Sequence, residues 1–126
     1  MITEKRNENN QIAWPWLILG ISLMTLLTWF NGQPEAVGLV HEPWDKVAHS
    51  LIFVSLTLSF GLSVGVKRRY PVLFLMLAFA AFDEMRQLFL PGRSASIGDF
   101  TVDVMAIMTT LWLILPWLQD KWERRR

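Results

Sequence analysis

The chain has 126 residues, of which 52% are hydrophobic and only 18% charged, and its mean hydropathy of +0.31 is too apolar for an ordinary soluble domain of this size. Four membrane-spanning helices of about 20 residues would use roughly 80 of them, leaving no room for a Rossmann or P-loop nucleotide-binding unit. A net charge of +1 gives no broad field for holding nucleic acid, and the absence of cysteine removes disulfides, thiolate metal sites and cysteine nucleophiles, so any chemistry rests on carboxylates, histidine, hydroxyls or amides.

The first apolar run, Ile12 to Phe30, contains no charge and carries Trp14, Trp16 and Trp29 near its ends, where interfacial anchors sit. Lys5 and Arg6 precede it as in a signal peptide, but no small-residue cleavage pattern follows at Asn31-Gly32-Gln33-Pro34, so an uncleaved anchor is expected. The second span is Val47 to Val66, interrupted only by His49 in its first turn and closed by a tight basic hairpin, Lys67-Arg68-Arg69. The third, residues 70–90, starts at Tyr70-Pro71, where proline suits a first helical turn, and runs through Asp83-Glu84-Met85-Arg86-Gln87. At 1.5 Å rise per residue that places Asp83 and Glu84 about two-thirds of the way across the membrane. Pro91-Gly92 ends this helix, and after the polar loop Arg93 to Gly98 the fourth span covers Phe100 to Leu118, with Asp99 and Asp103 at its start. The predicted fold is therefore all-α, an integral membrane bundle of four transmembrane helices forming a single domain over residues 1–126.

Lysine and arginine in short connections set orientation. The N-terminal tail, the 67–69 hairpin and the C-terminal tail hold nine basic residues on one side, against Lys46, Arg86 and Arg93 on the other, so both termini are expected in the cytoplasm. Acidic residues divide the opposite way: Glu35, Glu42, Asp45, Asp83, Glu84, Asp99 and Asp103 lie outside or in the outer leaflet, giving a net charge of +5 inside and −4 outside. Aspartate and glutamate hardly direct insertion. This second asymmetry marks a site.

Within the last three spans the polar residues fall at helical spacing: Asp45 and His49 are i,i+4, Asp83 or Glu84 reaches Gln87 by four or three, and Asp99 and Asp103 are again i,i+4. Because a charge in hydrocarbon costs at least about 2.5 to 3.5 kcal/mol, these faces should turn inward toward one polar pocket. Carboxylates beside a histidine suit a divalent metal such as zinc or manganese. The same groups serve as general acid and base, with Glu84, Asp83 and His49 the catalytic candidates. Lys46 and Arg93 suit a phosphate or carboxylate, and Ser94 and Ser96 are hydroxyl donors. Each residue also has a structural reading: His49 as a packing histidine bonded to Asp45, Asp99 as a helix cap with Ser96, Asp83, Glu84 and Arg86 as an internal ion-pair network, and Lys46 as a snorkelling side chain. The basic stretch Lys121 to Arg126 reads first as a topology determinant and second as a headgroup contact.

Asp45-Lys46-x-x-His49, then Asp83-Glu84-x-x-Gln87, then Pro91-Gly92-Arg93 followed by Asp99, resemble the signature of VanZ-like membrane proteins over about residues 14–118. The family takes its name from a protein associated with resistance to the glycopeptide teicoplanin. The resemblance implies a bacterial cytoplasmic (inner) membrane location and a connection with the cell envelope or envelope-directed compounds, and it carries over the polar positions Asp45, Lys46, His49, Asp83, Glu84, Gln87, Arg93 and Asp99. It departs from the pattern at Asp103 and Ala106, where asparagine and glycine are expected; the extra negative charge at 103 favours a cation over an anion.

Three classes of function follow. The first is a binding or accessory protein whose outward-facing pocket, formed by those positions and Asp103, engages an envelope lipid, a glycan precursor or an amphipathic compound. The second is a membrane enzyme acting on a lipid-linked headgroup, with or without a divalent metal. The third is an ion or proton pathway, which the confinement of polar residues to one end disfavours. Membrane lipids are the expected partners, nucleic acid is not, and no dedicated cofactor is expected.

Overall fold

The computed structural model describes residues 11–33, 44–90 and 96–125, apart from the side chain of Asp45. They form four helices: α1 (Trp14–Asn31), α2 (Trp44–Val64), α3 (Arg69–Gln87) and α4 (Ile97–Arg124). No strand occurs among the described residues.

Helix α1 starts with Pro15 in its first turn, where the missing N–H has no intrahelical partner to lose. It buries only Gly20, and a Cβ there would lie 3.1 Å from the Phe60 ring. The small residue lets α1 lie close against α2, while Trp14, Ile18, Leu26 and Trp29 remain exposed. Helix α2 begins three residues before the expected span, so Lys46 lies in its first turn and His49 in its second. It ends before Gly65, whose φ of +87° is a conformation side-chain-bearing residues resist. A 3-10 turn at Val66–Arg68 then leads directly into α3.

Along α3 the buried residues are Val72, Met76, Phe79, Ala80, Asp83, Glu84 and Gln87. They form one stripe at three- and four-residue spacing that changes from apolar to polar in its last two turns. The helix stops at Gln87, short of the expected position 90. Helix α4 is longer than expected at both ends; Lys121 and Arg124 ride on its final turns instead of on a tail. Its middle widens to a π-helical stretch at Thr110–Ile114. The cause is Pro116, which has no N–H to give to the carbonyl four residues earlier and whose ring crowds it.

The core is a contiguous cluster drawn from α2 (Phe53, Leu56, Phe60), α3 (Val72, Met76, Phe79, Ala80) and α4 (Ala106, Ile107, Leu111, Leu115). Helix α2 is central, packed by α1 on one side and by α3 and α4 on the other. Helix α1, residues 46–64 of α2, and α4 are each long and apolar enough to cross a membrane. With 19 residues α3 is as long, but Asp83, Glu84 and Arg86 dilute its composition. Its two acids face inward, as the sequence requires of a span that carries them.

Candidate functional site

The polar ends of α2, α3 and α4 meet. Helices α2 and α4 run parallel and are joined by two rungs one turn apart: Lys46 Nζ lies 3.4 Å from Asp99 Oδ1, and His49 Nδ1 lies 3.2 Å from Asp103 Oδ1. The spacing of three on α2 and four on α4 places both rungs on facing stripes. His49 stacks its ring parallel to that of Phe53, with centroids 6.5 Å apart, and Phe53 in turn packs against Phe79 of α3. The histidine thus has an apolar floor and a carboxylate wall.

Helix α3 contributes the acids. Asp83 is 2% exposed, Glu84 8% and Gln87 6%, while Asp103 on α4 is wholly buried. Glu84 Oε2 accepts the backbone N–H of Ser96 at 3.0 Å. Ser96 is the N-cap of α4 and its hydroxyl accepts from the N–H of Asp99, which is half of the expected capping box. The reciprocal half is absent: Glu84 of a neighbouring helix takes the Ser96 N–H, and this frees Asp99 for Lys46. Asp83, Glu84, Asp99 and Asp103 all lie within electrostatic reach of one another or of His49.

Two sequence expectations are corrected. His49 pairs with Asp103 from another helix, because the inward face of α2 meets α4. Arg86 forms no ion-pair network with Asp83 and Glu84: it points the other way, donating to the Thr28 carbonyl near the end of α1 at 3.1 Å and lying over the Phe82 ring. A guanidinium on a carbonyl of the last turn answers the negative end of that helix. Arg93 and the Asp45 side chain lie outside the described residues. Of the remaining predicted residues, Lys46, His49, Asp83, Glu84, Gln87, Asp99 and Asp103 gather at one end of the bundle.

Sequence reasoning missed the buried hydroxyls of the other half. Thr57, Ser59, Ser63 and Thr110 are buried; Ser59, Ser63 and Thr110 bond back to carbonyls of their own helix, whereas Thr57 Oγ1 has no partner. Their only sequence signal is a hydroxyl on an inward helical face, which says little by itself. Two turns of α2 separate Thr57 from His49, and Phe53 and Leu56 fill that interval.

Four carboxylate oxygens in the acidic group are buried without a hydrogen-bond donor among the described residues: Asp83 Oδ2, Glu84 Oε1, Asp103 Oδ2 and Asp99 Oδ1, the last ion-paired with Lys46. Such an atom forfeits its hydration, at about 1 to 3 kcal/mol each, unless something donates to it. The site is therefore built to accept hydrogen bonds. Among the described residues no group of three or more histidine and carboxylate side chains is disposed to hold a metal ion.

No curated protein and no solved structure matches this chain. A family model described as VanZ/LLP1 matches residues 3–119, which takes in all three polar helix ends. The order of the acidic and basic positions, their convergence at one end of a helical bundle, and this match over nearly the whole length together assign the chain to the VanZ/LLP1 family.

Proposed function

We propose that this chain is a multi-pass protein of the bacterial cytoplasmic membrane, crossing four times with both termini in the cytoplasm, and that its extracytoplasmic end binds an envelope lipid, a glycan precursor or an envelope-directed compound. The orientation is supported by the basic residues of the last turns of α4 and of positions 67–69, which share the end of the bundle opposite the acids, and by Lys5 and Arg6 ahead of the first apolar run in the sequence. The inward stripe of α3 supports its spanning the membrane as well, since the acids that dilute its composition, Asp83 and Glu84, are buried against α2 and α4. Binding is carried by a single observation: buried acceptors on Asp83, Glu84 and Asp103 that the protein's described groups leave open.

A second reading, a membrane enzyme acting on a lipid-linked headgroup, is favoured by the His49–Asp103 pair. A carboxylate on Nδ1 orients an imidazole for proton transfer at its other nitrogen, and Asp83 or Glu84 stands nearby as the acid. Vesicles containing the protein and turning over no lipid headgroup would leave only the binding reading.

Sidedness is tested with single-cysteine variants, which the absence of native cysteine allows. Lys46→Cys and Arg93→Cys should react with a membrane-impermeant thiol reagent in intact cells, and Arg68→Cys and Arg125→Cys should not. Labelling of Glu84→Cys would show that water enters the pocket. The reverse pattern would place the pocket in the cytoplasm and remove the envelope reading.

A further inference from the structure

The end of the bundle opposite the acids has a cleft of its own. Trp117, Leu118, Lys121, Trp122 and Arg125, all from the last turns of α4, line a space of about 540 Å³. Spaced by three and four, these positions fall on one helical face. Leu115 and Gln119 are the residues that dock on α2 and the turn after it, so the cleft is left open outward, with both indoles more than half exposed.

Its depth follows from the length of the helix. Helix α4 has 28 residues, about 42 Å at 1.5 Å rise, against roughly 30 Å of hydrocarbon. The helix therefore outruns the hydrocarbon, and Asp120 is the first charge it meets after Asp103. Residues 117–125 then lie at the level of lipid headgroups.

Interfacial tryptophans and basic residues also occur on spans that bind nothing. Here they are organised. Lys121 Nζ lies 4.4 Å from the centre of the Trp117 ring, which seats the ammonium on an indole face while it still has N–H donors for an anion. The acids are sorted away from it: Asp120 is paired with Arg124 at 3.1 Å, and at 3.6 residues per turn Glu123 falls on the opposite side of the helix. The residues lining the cleft thus carry two positive charges and no negative one. Along the helix the apolar Trp117 and Leu118 come first, and the cations follow one and two turns on. A phospholipid has the same order, with acyl chain and glycerol deeper and phosphate further out.

We infer that this cleft binds an anionic phospholipid of the adjacent leaflet, its phosphate between Lys121 and Arg125 and its glycerol and upper acyl chain against Trp117, Leu118 and Trp122. In the orientation proposed above this is the cytoplasmic leaflet. A choline headgroup carries the same phosphate but adds a cation with no N–H to donate, which the two basic side chains repel. The cleft is separate from the acidic pocket, and its occupant does not depend on what that pocket binds.

The test uses the full chain in detergent, offered equal amounts of phosphatidylglycerol and phosphatidylcholine with matched acyl chains, with bound lipid read by native mass spectrometry. Phosphatidylglycerol should be retained over phosphatidylcholine by about tenfold. Lys121→Gln with Arg125→Gln should bring the two lipids to equal retention, whereas Lys121→Arg with Arg125→Lys, which keeps both charges, should keep the preference. Trp122→Ala removes a wall and no charge, and should lower retention of phosphatidylglycerol severalfold. Lys67→Gln with Arg68→Gln takes the same charge from the same end of the bundle, outside the cleft, and should leave the preference in place. If that pair erased it as fully as the cleft pair, the attraction would be a diffuse field and the site would fall. Inorganic phosphate in excess should not displace the lipid; displacement would assign the cleft to a soluble anion and overturn the lipid. Equal retention of both lipids by the native chain, or a preference unchanged in Lys121→Gln with Arg125→Gln, would overturn the inference outright. Since every variant leaves Asp83, Glu84 and Asp103 in place, none of these outcomes bears on the acidic pocket.

Discussion

His49 and Asp103 are separated by 54 residues and joined at 3.2 Å, with the carboxylate wholly buried and the imidazole partly exposed. Removing either partner leaves the other without its bond in a low-dielectric interior, whereas removing both leaves only apolar contact. The single variants His49→Phe and Asp103→Leu should therefore each destabilise the protein, and the double variant should cost less than their sum by about 1 to 3 kcal/mol, measured as a double-mutant cycle of unfolding in mixed micelles. Additive effects would mean that the pair does not couple. That these two residues matter could be read from spacing alone, since Asp45, His49, Asp99 and Asp103 recur at helical intervals. The pairing could not. An i,i+4 rule sees only neighbours on one helix, and it suggested Asp45 for His49 because the facing helix is invisible to it. Arg86 was misread for the same reason: two acids within three residues suggest an ion pair, but the side chain leaves its own helix to reach Thr28 of α1. Arg86→Met should release that end of α1, and faster amide exchange at residues 28–32 in Arg86→Met than in the native chain would show it; unchanged exchange would mean the contact holds nothing.

At the scale of elements, α2 and α4 keep one register through their whole shared length. Twelve residues beyond the His49–Asp103 rung, Gly61 meets Leu115, where a Cβ would come within 2.8 Å of Leu115 Cδ2. Further on, five residues past Gly61 and four past Leu115, the backbone N–H of Val66 donates to Gln119 Oε1 at 3.0 Å. The polar rungs at one end and the glycine contact at the other therefore fix the same alignment. Gly61→Val should force the helices apart and destabilise the bundle by about 1 to 3 kcal/mol, and pairing it with Leu115→Ala should recover part of the loss in the same unfolding assay. No recovery would show that the clash lies elsewhere. The π-helical stretch at Thr110–Ile114 was legible only in hindsight. Pro116 in an apolar run reads equally well as a helix end, and the continuation to Arg124 depends on Leu115 and Gln119 docking on α2. Helix boundaries moved by similar logic: α2 and α4 start earlier than their apolar runs because Lys46 and Asp99 are paired across the bundle, so polar residues there need not end a span.

For the whole molecule, the proposed four-span topology requires α3 to be carried by its neighbours. Taken alone, Asp83, Glu84 and Arg86 each oppose insertion by up to about 2.5 to 3.5 kcal/mol, less toward the helix end, while each Leu, Phe or Val of the helix returns only about 0.3 to 0.6 kcal/mol. The balance is unfavourable by a few kcal/mol until α4 arrives, because Glu84 then finds the Ser96 N–H at the start of α4 and the acid stripe is buried between α2 and α4. Alkaline phosphatase, active only outside the cytoplasm, reports this when fused after residue 95 of a chain truncated there. The native truncated chain should give low activity, since α3 would fail to cross. Asp83→Asn combined with Glu84→Gln should raise it, because neutral amides are cheaper to insert and nothing else has changed. In the full chain Arg93→Cys should label from outside without those substitutions, as α4 supplies the missing partners. High phosphatase activity from the native truncated chain would mean that α3 inserts by itself, and the acids at its end would then owe their burial to the site and not to the assembly of the bundle.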